Sequence, residues 1–94
     1  MRPRTPPERK PLAPRHAALL VAVWRDSGTR PALLSSVIDD LGMAPSWGYS
    51  SAVVLVERAL LDFDRERTGW VRVTPDGAVV VRALTGLRYS SPRP

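Results

Sequence analysis

The sequence predicts an α+β domain: three short helices followed by a β-hairpin. Three observations carry that expectation. Apolar side chains recur at helical spacing in three successive segments. Proline and glycine stand where those segments should begin and end. After Gly69 the helical spacing gives way to alternation.

Residues 1–11 place four prolines among Arg, Lys, Glu and Thr, a composition that supplies no core and reads as a disordered or polyproline-like basic arm. Pro14 then opens a helix through Ser27, closed by Gly28, with Ala17, Leu20, Val21 and Trp24 as its apolar face and Leu19 and Val23 widening it. Pro31 starts a second helix. Its Leu34, Val37, Ile38 and Leu41 repeat at i, i+3, i+4, i+7 before Gly42 ends it. A turn, Met43 to Pro45, leads to a third helix from Ser46 or Ser50 to Glu66, with Ala52, Val53, Val56, Ala59, Leu60 and Phe63 as one stripe and Thr68-Gly69 closing it.

Trp70 to Thr74 alternates, Pro75-Asp76-Gly77 carries turn chemistry, and Ala78 to Ala83 returns as a valine-rich strand. A type I turn over Thr74–Gly77 with a glycine bulge sets Val71 against Val81 and Val73 against Val79, leaving Arg72, Val80 and Arg82 outside. The other reading of these residues makes Thr74 the cap of a short helix from Pro75; three consecutive valines favour the strand. The domain then covers residues 12–86, and residues 87–94 form a flexible tail.

Composition excludes several classes of function. The 94 residues hold one small domain, and there is no cysteine for disulfides, thiolate chemistry or Cys-based metal sites. His16 is the only imidazole, reads as a first-turn helix residue and leaves no His-rich metal site. Without a Gly-rich phosphate loop or a carboxylate pair on a concave site, the chain is not expected to be an enzyme or to need a metal or cofactor. The apolar run Ala17 to Trp24 is too short to span a bilayer, so the expectation is a cytoplasmic protein with no membrane partner.

The formal charge is +5 and 13 of 14 basic residues are Arg. Residues 1–15 carry +4 and residues 82–94 carry +3, whereas the stretch between them is −2. The charge sits mostly in the ends.

Val37-Ile38-Asp39-Asp40-Leu41-Gly42 resembles the "I-A-x-x-L-G" end of a helix-turn-helix first helix, and Arg58-Ala59-Leu60 with Gly69-Trp70-Val71 resembles the "R-x-L … G-L-V" passage from recognition helix to wing. Pro11-Leu12-Ala13-Pro14-Arg15-His16 is similar to the opening of the LexA-type DNA-binding domain. Over about residues 12–85 the chain thus resembles winged helix-turn-helix domains of the MarR-like, PadR-like and LexA-type kinds, with Ala44 to Gly48 as extra residues before the usual start of the third helix.

The resemblance implies a transcriptional regulator of prokaryotic or phage type on double-stranded DNA, a homodimer on a two-fold site, with no small-molecule substrate. The third helix enters the major groove. With Val56 at its buried centre, the outward face carries Trp47, Ser51, Val54, Arg58, Leu61 and Arg65. Ser50 and Ser51 reach base edges or phosphates, Val54 a thymine methyl and Arg58 a guanine, while Arg72 and Arg82 on the wing grip phosphate and Arg2 and Arg4 of the arm enter a minor groove.

Each assignment has a plainer counterpart. Ser50 and Ser51 are also N-cap residues, Trp47 and Tyr49 also pack an enlarged turn, and Trp70 shares the parity of Arg72 and can stack on an Arg. Against DNA stand the −2 charge of the middle and the Asp39-Asp40 pair. The alternative is a winged-helix adaptor that binds protein or a second copy through an apolar strip of Val54 and Leu61.

Overall fold

Helix and strand alternate more often than the sequence suggests. The computed structural model describes residues 11–89, with side chains through residue 86. In order these form α1 (Pro14–Ser27), β1 (Ala32–Leu33), α2 (Leu34–Asp40), α3 (Pro45–Glu57), β2 (Leu61–Phe63), β3 (Trp70–Val73) and α4 (Pro75–Tyr89). The three strands make one antiparallel sheet in the order β1-β3-β2. The described residues therefore form a small α+β domain of four helices and a three-stranded sheet, one helix and one strand beyond expectation. Arg2 and Arg4, with all of the arm except Pro11, lie outside the described residues.

α1 has the expected bounds. Pro14 needs no donor at a helix start, and the Gly28 N–H donates to the Trp24 carbonyl at 2.7 Å. Its Leu19, Leu20 and Val23 are fully buried. The second helix starts later than Pro31 because Ala32 and Leu33 pair with Val71 and Trp70 as β1. α2 ends in a Schellman motif. Gly42, at φ +70°, donates its N–H to Asp39, and the Met43 N–H reaches back to Ile38.

The third helix stops at Glu57, not Glu66. It closes with the same motif, but here the left-handed residue is Ala59 at φ +63°. The Ala59 N–H donates to Val56 and the Leu60 N–H to Leu55, each at 2.9 Å. An L-residue in that conformation costs about 1–2 kcal/mol. Burial of Leu60 in the core, about 1.5–3 kcal/mol for a full Leu side chain, offsets it. Freed from the helix, Leu61 pairs with Val73 and Phe63 with Val71. Leu61 is thus a core residue of β2, 1% exposed, and forms no surface strip with Val54.

The expected hairpin is also redrawn. β3 pairs backward with β2 through residues 64–69, and Ala78 to Ala83 belong to α4. Thr74 decides this: its Oγ1 accepts the Gly77 N–H at 2.9 Å as an N-cap and donates to the Ala59 carbonyl at 2.7 Å. Pro75 then occupies the first helical position, and Asp76 favours the positive end of the helix dipole. Burial in α4 follows helical spacing, with Gly77, Ala78 and Val81 inside and Val79 outside, so Val79 does not face Val73. Gly77 is needed for closeness, not for a positive φ. A Cβ there would overlap the Leu60 carbonyl oxygen and lie 2.9 Å from Val73 Cγ1. The helix continues to Tyr89, past the expected domain end at residue 86.

Candidate nucleic-acid interface

The buried side of α3 is made of small residues. Gly48, Ser51, Ala52 and Leu55 fall at i, i+3, i+4, i+7, and α2 lies so close that a Cβ on Gly48 would sit 2.5 Å from Ile38 Cδ1. Leu55, not Val56, is the centre. That shift of one residue rotates the helix by about 100° from the expected setting. The outward face is Ser46, Tyr49, Ser50, Val53 and Glu57, flanked by Trp47. Trp47 is 57% exposed, Val53 45% and Tyr49 44%, and Glu57 is the one charge on the whole helix. Ala44 to Gly48, which look extra in the sequence, supply the N-cap and first turn of α3, with Pro45 at its start.

The ridge expected to face DNA turns toward the first turn of α1. Ser51 is fully buried, and its Oγ has no hydrogen-bond partner among the described residues, so it reads no base. Val54 and Arg58 are half-buried. At the Trp47 end of that ridge α1 makes a cation–π contact. The Arg15 guanidinium lies over the Trp47 ring, 4.4 Å from its centroid. Burial pushes His16 below its ordinary 6.5, and the charges of Arg15 and Arg58 push it the same way.

The hairpin offers a second polar surface. Paired residues share a side of the sheet, so Leu33 and Trp70 lie outside together with Asp62 and Arg72. Arg67 stacks on Trp70 at 5.1 Å, and Arg72 forms an ion pair with Asp64 at 3.7 Å. The Glu66 N–H donates to Asp64 Oδ1, which ties the loop to itself. Arg65 is exposed in this loop, not on a helix. Three bases (Arg65, Arg67, Arg72) meet three acids (Asp62, Asp64, Glu66), and the hairpin is electrically balanced.

Of the expected residues, the structure keeps Trp47 and Ser50 on the open side of α3 and Arg65 and Arg72 on the hairpin. Arg82 is exposed on α4 and does not share the sheet face with Arg72. Tyr49 and Val53 were missed as outward residues, and Arg15 and His16 as neighbours of α3. The spacing of Gly48, Ser51, Ala52 and Leu55 was the available signal for the first pair; nothing in the sequence marked the second.

Among the described residues no His, Asp or Glu cluster could hold a metal ion, and no helix is long and apolar enough to cross a membrane. An open groove of about 690 Å³ runs along the other side of α1, between α2 and α4. No protein-family model, curated protein or solved structure matches the chain.

Proposed function

We propose that this chain is a winged helix-turn-helix protein that binds double-stranded DNA and acts as a sequence-specific transcriptional regulator of prokaryotic or phage type. The observation that carries the proposal is the open face of α3. It follows α2 across a tight Gly42 turn and is flanked by the β2–β3 hairpin, which supports reading α3 as a recognition helix and the hairpin as a wing. β1, between the first two helices, pairs with β3 and so ties the hairpin to the helical part.

In this reading α3 enters the major groove. Ser50 and Tyr49 offer hydroxyls to base edges or phosphates, Val53 contacts a thymine methyl, and Arg65, Arg67 and Arg72 bear on flanking phosphates. Two copies on a two-fold site supply the affinity one small module lacks. Anisotropy titrations on duplex pools test it. Binding should fall with salt by a log–log slope of about −0.9 for each phosphate neutralised. Ser50→Ala and Tyr49→Phe should flatten sequence preference, while Arg65→Ala weakens all duplexes alike. Absence of salt-dependent duplex binding at low salt refutes the proposal.

One observation favours a second reading. Trp47, Tyr49 and Val53 present apolar surface on a helix whose only charge is acidic, which suits a protein partner or second copy. An adaptor of that kind should show little duplex affinity and lose its association in Val53→Glu.

A further inference from the structure

We propose that the groove between α1, α2 and α4 is the docking site of the chain's own N-terminal arm, residues 1–10, which lie outside the described residues. The arm enters it as an extended, proline-rich basic segment. The proposal goes beyond the duplex-binding reading and does not depend on it.

Short side chains make the groove. Between Pro14 and Arg25 its α1 wall is Ala17, Ala18, Val21 and Ala22, and Leu41 of α2 and Leu84 of α4 stand on the flanks. From Pro14 to Asp26 the wall is about 18 Å long at 1.5 Å per residue. The floor is apolar, and the charged side chains at its edge are Asp26, Asp40 and Arg25, two acids to one base. A long apolar trough with an acidic rim suits an extended segment that is apolar on one side and carries cations.

The ten residues before Pro11 match that shape and charge. Pro14 lies at one end of the groove, and Pro11 stands three residues before it, within about 10 Å of chain. At about 3.1 Å per residue in polyproline form, residues 1–10 extend about 31 Å, enough to turn at Pro14 and run the full length. Pro3, Pro6 and Pro7 bring no N–H to the apolar floor and hold the extended form at little cost in entropy. Arg2, Arg4, Arg9 and Lys10 against Glu8 give the segment +3. Run antiparallel to α1, it places Arg4 about 22 Å along from Pro11, at the Asp26 end.

Other pairings fit less well. Residues 90–94 hold one base, and α4 carries the chain four residues past Thr85 before they begin. The Trp47 face of α3 offers a ring to proline, but Arg15 lies over it and repels a cationic arm. In the groove, Arg2 and Arg4 rest on the side of α1 turned away from α3. A DNA minor groove then gains them only by displacing them from Asp26 and Asp40.

The test is a spin-label measurement on the full chain. With no native cysteine, Thr5→Cys gives a single nitroxide site, outside the described domain. The label should weaken the amide signals of Ala18, Ala22 and Thr85 far more than those of Tyr49 and Val53 on α3. Asp26→Asn with Asp40→Asn, both exposed, should restore most of the lost signal. Ala18→Arg, also exposed, should restore it too by filling the floor and repelling the arm. Isotope-labelled chain mixed with a spin-labelled chain of natural isotopes should show no such loss. Undiminished signals at the groove, even loss over the whole surface, or loss centred on α3 would each overturn the proposal. So would equal loss in the mixture, which would put a second copy's arm in the groove. No arm of the experiment contains DNA, so failure here leaves the duplex-binding reading standing.

Discussion

Thr74→Val keeps the volume of the side chain and deletes its hydroxyl, which holds three elements at once. Thr74 Oγ1 accepts the Gly77 N–H at the start of α4 and donates to the carbonyl of Ala59, the left-handed residue after α3. Loss of an N-cap costs about 1 kcal/mol. The bond to Ala59 adds about 1 kcal/mol more, because its carbonyl loses a donor. The expected sum is about 2 kcal/mol. At about 4–8 °C per kcal/mol for a domain of this size, the melting temperature should drop by about 8–16 °C. Far-UV circular dichroism during thermal and urea unfolding measures it, with Thr74→Ser as the variant that keeps both bonds. A Thr74→Val protein within about 0.5 kcal/mol of wild type, the range of an ordinary surface substitution, would refute the capping argument and with it the account of why residues 75–89 are helical.

Three further outcomes follow from the same geometry. Gly77→Ala gains about 1 kcal/mol of helix propensity but drives a methyl into the Leu60 carbonyl. It should be net destabilising by calorimetry, whereas Gly86→Ala, with open space around it, should stabilise by up to about 1 kcal/mol. Ala59→Gly relieves the left-handed strain at some entropic cost and should raise stability by about 0.5–1 kcal/mol in urea titrations. Lowering pH should destabilise the free domain through His16. Its folded pKa lies below the ordinary 6.5, so its contribution is complete above 6.5 and is lost as pH falls through the folded value; melting curves of His16→Gln should lack that slope.

The sequence made α1 legible from end to end because both signals, Pro14 and Gly28, have one structural meaning each. α3 was harder for two reasons. Its stop is an alanine in a glycine's place, so the helical pattern reads on through Arg58 into residues that pair as β2. Its buried side is built from Gly48, Ser51 and Ala52, so weighting by hydrophobicity selects Val53 and Val56 and turns the outward face by one residue. That turn is why Ser51, Val54 and Arg58 were placed on the open side while Tyr49 and Val53 were not. Pro75-Asp76-Gly77 is ambiguous by chemistry, since the same residues suit a tight turn and a capped helix start. The choice depends on Ala59 and Leu60, which contact this segment only in the folded chain. β1, two residues long, has no pattern to read and exists because Val71 and Trp70 offer it an edge.

The meeting of Ala59, Leu60, Thr74 and Gly77 has a consequence for how this chain can vary in length. Backbone and hydroxyl bonds join the end of α3 to the start of α4, with no space at Gly77 even for a methyl group. An inserted or deleted residue at positions 58–60 or 74–77 therefore changes the angle between α3, the hairpin and α4 together. The loop at residues 64–69 lies on the far side of that joint and is mostly exposed between its two anchored ends, Asp64 on Arg72 and the Gly69 carbonyl on the Leu34 N–H. Lengthening it extends the reach of the hairpin and leaves the setting of α3 alone. Reach and aim are separate dimensions of this small domain.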